Sequence, residues 1–222
     1  MKKIIITGSS GLIGKKISSY LKKKFKIIPI DFKLGHDLND EYQVKEIFKK
    51  NKDCSYLINL HGLNDHIKKD RKKNESNKDI FLEYSLNNVY SLYLTNKYFI
   101  NYCKKGKGII NFASLYGINS PKHFLYDHPK DIFYITSKYS VIGLTKYFAT
   151  LYGKKVNINC IVNGGIINNQ PNTFLKAITT HIPKGRMMKV SDLFGIIELL
   201  CSDKSEYMSG SPIIIDGGYS SW

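Results

Sequence analysis

The sequence predicts an α/β fold: a doubly wound parallel sheet in three layers, α/β/α, with residues 1–222 forming one domain. Three observations carry this expectation. Apolar runs of strand length alternate with longer amphipathic stretches of helical period along the chain. A glycine-rich turn, Gly8-Ser-Ser-Gly-Leu-Ile-Gly14, joins the first apolar run directly to the first amphipathic stretch. No repeat or linker-like segment interrupts the series, and 222 residues are enough for one sheet covered on both faces.

Lys3–Thr7 reads as a short buried strand, and the helix after the glycines carries Ile17, Tyr20 and Leu21. Strand, glycine turn and helix in succession are the context of a dinucleotide fingerprint, which makes the expected fold Rossmann-type. Glycines there allow a tight turn and close approach to a pyrophosphate, and the helix N-terminus adds free N–H groups and partial positive charge. Gly8, Ser10, Gly11, Ile13 and Gly14 are therefore the candidate cofactor cradle. Lys26–Asp31 reads as the second strand. A carboxylate at its end, ~20 residues beyond the glycines, suits both ribose hydroxyls of an adenosine and repels a 2′-phosphate. Asp31 thus predicts NAD; Lys33, whose ammonium can receive a phosphate, keeps NADP open, and Asp31 simply ending the strand is the structural alternative. Gly35-His-Asp-Leu38 follows too soon for a crossover helix. The third strand is reached by a shortened connection or is vestigial.

Asp40–Lys50 reads as a helix and Tyr56–Leu60 as the fourth strand, with His61-Gly62 at the carboxyl edge where a ligand crevice opens. Leu63–Lys78 is polar and aperiodic, a mobile loop in which His66 has no metal-ligand company. Asp79–Cys103 reads as one long helix whose apolar face is broader than a single sheet face needs. Ile109–Ser114 is the fifth strand. The loop Leu115–Ile132 is aromatic and rich in His and Pro, a pattern of specificity loops and lids; His123 and His128 read as surface residues. Val156–Val162 is the sixth strand, and Asn163–Asn168 turns sharply. Asn169–Pro183 reads as a mobile substrate-side segment. Ser191 is expected to cap a helix to about Cys201, and Pro212–Asp216 is a last strand closed by Gly217-Gly218.

Phe133–Phe148 is an amphipathic helix on which Tyr134 and Lys138 share a face. A phenol ionises near ~10, and a fixed ammonium beside it moves that value toward neutrality, as proton transfer requires. The spacing alone does not choose this pair. Tyr20/Lys24, Tyr93/Lys97 and Tyr126/Lys130 share it in a chain of 16 tyrosines and 34 basic residues, of which only Arg71 and Arg186 are arginine. Pro129 breaks the helix that Tyr126/Lys130 would need. The first two pairs lie in helices whose own patterns explain them. Tyr134/Lys138 alone follows a buried strand ending in serine, Gly108-Ile-Ile-Asn-Phe-Ala-Ser114.

The net charge of +16 suits an acidic partner, yet the lysines are dispersed and arginine is scarce. A general inflation of Lys, Ile and Asn explains it better, so neither nucleic acid nor a membrane is expected as partner. Cys54, Cys103, Cys160 and Cys201 lie far apart in apolar runs, which reads as reduced core thiols of a cytoplasmic protein with no metal site. No apolar run approaches a membrane span or a signal-peptide core.

Taken in order, Thr7–Gly14, Asp37-Leu38, Asn59-Leu-His-Gly62, Asn88, Ile110–Ser114, Tyr134–Lys138, Asn163-Gly164 and Ile213–Gly218 resemble the short-chain dehydrogenase/reductase family over nearly the whole chain. Leu144–Ala149 and Gly164–Pro171 resemble members acting in surface-polysaccharide, flagellin-sugar or sialic-acid-like biosynthesis. The resemblance implies Tyr134 as general acid or base, with Lys138 on the nicotinamide ribose. It implies Ser114 on the reacting oxygen and Asn88 on a water-mediated proton path. Asp37 and Leu38 would border the adenine, Asn59, His61 and Gly62 the adenosine side, Ile166 the carboxamide and Asn168 the pyrophosphate. Leu12, His61 and Asn163 depart from the family's usual residues, and Ser114 and Tyr134 stand farther apart than usual. The expected activity is NAD(P)-dependent interconversion of a secondary alcohol and a ketone on a small sugar-like molecule. Reduction of a 3-oxoacyl group on a carrier protein and a non-catalytic nucleotide-binding scaffold are the alternatives. A homodimer or homotetramer through helices 79–103 and 133–153 is the implied assembly.

Overall fold

Ile4, Ile5 and Ile6 are all fully buried because β1 (Lys3–Thr7) runs inside a parallel sheet with helices on both faces. The computed structural model describes residues 1–64 and 76–221; the expectation for His66, and most of the 63–78 loop, lies outside them. The sheet has six strands, all parallel, in the order β2-β1-β3-β4-β5-β6. The further strands are β2 (Lys26–Ile30), β3 (Tyr56–Asn59), β4 (Gly108–Phe112), β5 (Asn157–Asn163) and β6 (Pro212–Ile215).

Alternation along each strand sorts side chains between the layers. Ile5, Leu57, Ile109 and Ile158 face one side, against Val44 and Phe48 of α2 (Glu41–Lys50), Leu94 and Phe99 of α4 (Ser91–Tyr102) and Phe148 of α5 (Ile132–Tyr152). Ile4, Ile6, Ile58 and Ile110 face the other, against Ile17 and Leu21 of α1 (Leu12–Leu21) and Ile197 and Leu200 of α7 (Phe194–Leu200).

Four details differ from the sequence reading. The third strand is absent: after β2 the Asp31 carboxylate caps a 3-10 turn, Phe32–Leu34, and Asp40 starts α2 by accepting the N–H groups of Tyr42 and Gln43. Two local caps so close together leave no extended segment, and β2 becomes the edge strand, where Pro29 is tolerated. The long helix is α3 (Asn77–Tyr84), a π turn over Ser85–Tyr90, and then α4. The segment 169–183 folds into α6 (Asn172–Thr179), whose Phe174, Leu175 and Ile178 pack with Leu115 and Tyr219. Ser191 caps nothing. It lies inside a 3-10 turn, Val190–Leu193, begun by the Asp192 carboxylate accepting the Lys189 N–H at 2.8 Å.

Candidate active site

The site is built outward from the carboxyl end of β1, starting with its glycine turn. Gly8 has φ +64°, and a Cβ there would lie 2.6 Å from the backbone of Leu60 and His61. Only glycine lets this turn rest on the end of β3. A Cβ on Gly11 would meet nothing nearer than the Gly8 carbonyl at 3.3 Å, so the outer side of the turn is open. Gly11 also begins α1 without a capping side chain, and the first turn of α1 holds no acid. Exposed backbone beside uncapped helical N–H groups fits a pyrophosphate. The Asp31 carboxylate fixes the neighbouring loop, accepting Ser10 N–H at 2.8 Å and Lys33 N–H at 2.9 Å. Each oxygen keeps lone pairs for a further donor. Of the two residues expected at the adenine, Asp37 accepts Asn39 N–H at 2.8 Å, while Leu38 is buried in the core beside Val44 and Leu57.

At the end of β3 the side chains divide between fold and crevice. Asn59 is spent inside the sheet. Its Nδ2 donates to Asn111 at 2.9 Å and Asn96 at 3.2 Å, and Asn111 in turn donates to Thr145 at 3.0 Å. His61 bridges β1 and α4, with Nδ1 2.6 Å from Thr7 Oγ1 and Nε2 3.0 Å from Ser91 Oγ. Ser91 donates its own proton to the Asn87 carbonyl at 2.8 Å, so His61 Nε2 must donate to it, and in the neutral ring Nδ1 then accepts from Thr7. That tautomer is neutral, and burial with the nearby Lys138 charge pushes its pKa down to about 3. Gly62 (φ +135°) passes so close to Asn88 that a Cβ would lie 2.9 Å from its Oδ1. Asn88, buried in the π turn, accepts Leu63 N–H at 2.6 Å and donates to Leu63 O and Ser137 Oγ. Its amide ties the loop after β3 to α5.

Ser114 follows β4 and starts a 3-10 turn, Leu115–Gly117, by accepting Tyr116 N–H at 3.2 Å. That turn lies on α5, since a Cβ at Gly117 would be 2.8 Å from the Lys138 carbonyl oxygen. The serine is thereby placed on the turn of α5 that carries Lys138. Tyr134 is 8% exposed, edge-on to Tyr84, with Lys138 Nζ 5.7 Å from its ring centroid. Burial lowers Lys138 to about 8. The other Tyr-x-x-x-Lys pairs have other settings. Lys24 and Lys97 are held above the ordinary lysine value by Glu198 and Glu41, and Tyr20 stacks on Phe194. Tyr126/Lys130 lies in a loop, with Nζ 4.3 Å over the ring.

Beyond β5, Ile166 bridges to Met188. Asn168 is exposed, its N–H bonded to Gln170 Oε1 at 2.6 Å. The sequence reading missed Gly117, the Asn59–Asn111–Thr145 chain and Tyr219. Gly117 carried a signal, three residues after a serine at a strand end; the other two depend on contacts far apart in sequence.

Comparisons with known proteins bear on the chain as a whole. The family described as enoyl-(acyl carrier protein) reductase matches residues 14–220. The 3-oxoacyl-[acyl-carrier-protein] reductase FabG of Rickettsia bellii is 28% identical over 238 residues, covering 96% of this chain and 95% of that protein. The post-translational flagellin modification protein A of Campylobacter coli is 27% identical over 132 residues, 57% of this chain and 52% of that protein. The crystal structure of a short chain dehydrogenase from Leptospira borgpetersenii with bound NAD+ superposes with a TM-score of 0.84. It is 31% identical and covers 99% of this chain and 92% of that one.

Proposed function

The chain belongs to the short-chain dehydrogenase/reductase family and is an NAD(P)-dependent oxidoreductase of CH–OH groups; from that premise we propose that it interconverts a secondary alcohol and a ketone on a small hydroxylated, sugar-like molecule. The observation carrying the site assignment is Lys138. It is lowered to about 8 by burial and stands over Tyr134 on the turn of α5 against which Gly117 seats the Ser114 loop.

In this reading Tyr134 takes the hydroxyl proton during oxidation and returns it during reduction. The charged Lys138 favours the phenolate and so lowers the cost of that transfer. Ser114 donates to the oxygen on which charge develops. Asn88 acts by position, holding Leu63 and Ser137 around the tyrosine and completing a proton path to water. A bound nicotinamide supplies or accepts the hydride. Gly8, Ser10, Gly11, Ile13 and Gly14 would hold its pyrophosphate with Asn168, and Asp31 its adenosine ribose, which favours NAD over NADP. Asp37 and the backbone of Leu38 would flank the adenine, the backbone of Asn59, His61 and Gly62 the adenosine side, and Ile166 the carboxamide. Exposed Phe81, Leu82 and Leu86 on the α3–α4 run, and Tyr139, Tyr147 and Leu151 on α5, support self-association through those helices.

A second reading, reduction of a 3-oxoacyl group on an acyl carrier protein, is favoured by the Rickettsia relative and the +16 charge. Keto-sugars, sugar acids and an acetoacetyl carrier protein, each offered with NADH and with NADPH, separate the two. Turnover of the carrier substrate alone, falling steeply with salt, would refute the sugar reading.

A further inference from the structure

Three more tyrosines gather beside the proposed reacting centre. Tyr116, two residues after Ser114, packs in the cluster that holds Tyr134 and Tyr84. Its hydroxyl is hydrogen-bonded to that of Tyr126. The Tyr126 ring rests on Phe174 of α6, with centroids 5.3 Å apart, and Lys130 Nζ lies 4.3 Å over it. Tyr219 comes from the carboxyl edge of β6, by way of a Gly217-Gly218 turn packed on Ile182 and Pro183. It joins Tyr116 and Phe174 around Leu115, and Lys122 Nζ stands 5.9 Å from its ring centroid. These residues come from the loops after β4, β5 and β6, at the edge where the reaction is placed.

Of these three hydroxyls, that of Tyr219 alone is buried without a partner among the described residues. The residue is 4% exposed, yet its oxygen has no hydrogen-bond partner among the described residues. A buried, unpaired hydroxyl lowers stability, and phenylalanine would fill the same space without that cost. Burial first, and then the neighbouring phenols, raise Tyr116 far above the usual phenol value and Tyr219 to about 12. Both therefore stay protonated at neutral pH; Tyr116 shares a hydrogen bond with Tyr126, and Tyr219 keeps its O–H to donate. A hydroxyl donor with the Lys122 ammonium beside its ring suits an oxygen-rich anion. A fatty acyl chain would leave the Tyr219 hydroxyl unpaired, which is how a hydrogen-bonding pocket rejects an apolar analogue.

We propose that Tyr219, with the Tyr116–Tyr126 pair beside it, is a specificity-determining residue that donates to a short hydroxylated chain bearing a carboxylate, a sugar acid. This rests on the oxidoreductase reading and narrows its substrate class. The test is titration calorimetry of D-gluconate into the full chain saturated with NADH, where no turnover occurs, comparing wild type with Tyr219→Phe. The expected result is D-gluconate binding weakened about tenfold by loss of one hydrogen bond to a charged acceptor. NADH affinity should be unchanged, and the melting temperature equal or higher. Tyr126→Phe should weaken D-gluconate in the same way, independently of how the first variant folds. Equal D-gluconate affinity in wild type and Tyr219→Phe overturns the proposal, as does wild type that binds NADH but not D-gluconate. Failure to bind NADH at all overturns the oxidoreductase reading itself, and the subsite with it.

Discussion

Gly117→Ala tests whether the serine turn is positioned by its contact with α5. The added methyl would lie 2.8 Å from the Lys138 carbonyl oxygen, 3.1 Å from its carbon and 3.2 Å from Ile142 Cδ1. Carbon needs about 3.5 Å from such atoms, so the turn must retreat by roughly half an ångström or more. Overpacking of this kind costs about 2 kcal/mol, or about 4–8 °C in Tm for a chain of this size. Ser114 rides on the same turn through its bond to Tyr116 N–H and withdraws from Tyr134 with it. Misplacement of a reacting group approaching an ångström lowers turnover by about 10²-fold. Gly195→Ala is the control: its Cβ would meet no atom within 4 Å, so the exchange should add about 0.5–1 kcal/mol of helix stability and leave kcat alone. Thermal melts and steady-state kinetics on both variants decide the matter. A Gly117→Ala enzyme that melts early but turns over normally would show that the contact holds the fold and not the serine.

Three further outcomes follow from the same geometry. Tyr134→Phe should remove turnover while NADH binding, read by fluorescence titration, changes less than about twofold; loss of turnover in Tyr126→Phe with Tyr134→Phe active would transfer the role to the loop pair. Asp31→Ala should raise the NADPH-to-NADH ratio of kcat/KM by about tenfold or more, since the carboxylate no longer repels a 2′-phosphate; an unmoved ratio would dismiss its ribose role. Lys138 sits at about 8 in the fold against 10.5 free, so the unfolded chain holds its proton more tightly and its charge opposes folding in full below pH about 8. That penalty shrinks as pH rises from about 8 and is gone above about 10.5. Lys138→Met should therefore be more stable than wild type near neutrality, on the order of 2 kcal/mol after allowing for partial exposure. Its advantage in Tm should fade toward high pH, and an offset independent of pH would contradict the buried ammonium.

Much of this arrangement was legible in the sequence because its signals are local. Lys3–Thr7, the glycines and α1 are contiguous, so strand, turn and helix could be read as one unit. Tyr134 was separated from three equally spaced rivals by what precedes it, a buried strand ending in Ser114. The third strand could not be settled from sequence, because its absence follows from two carboxylate caps, at Asp31 and Asp40, each an ordinary residue until its N–H partners are known. The π turn under Asn88 was hidden for a related reason. One residue more per turn barely disturbs an apolar pattern, yet it directs the amide to Leu63, 25 positions away. Side-chain networks across such separations leave no periodic trace. Asn59 drew attention as part of a cofactor motif, but its amide turned out to be bonded into the sheet.

His61 shows how a departure from the family pattern can be accommodated without harm to the proposed chemistry. An imidazole beside the proposed catalytic ammonium is a hazard, because protonating it would set a second positive charge against Lys138. Thr7 donates to Nδ1 and Ser91 accepts from Nε2, so both ring nitrogens are satisfied in the neutral form. Charging the ring would turn Nδ1 into a donor and oblige the Thr7 hydroxyl to give its proton to the longer bonds with Asn59 Oδ1 at 3.2 Å or Ile58 O at 3.4 Å. Hydrogen bonding and the Lys138 charge thus act in the same direction as burial. The side chain is left as a neutral strut between β1 and α4, and Lys138 keeps its influence on the phenol across the neutral pH range. The same argument explains why a bulkier residue fits here at all: Thr7 and Ser91 meet its two ring nitrogens with matching polar groups.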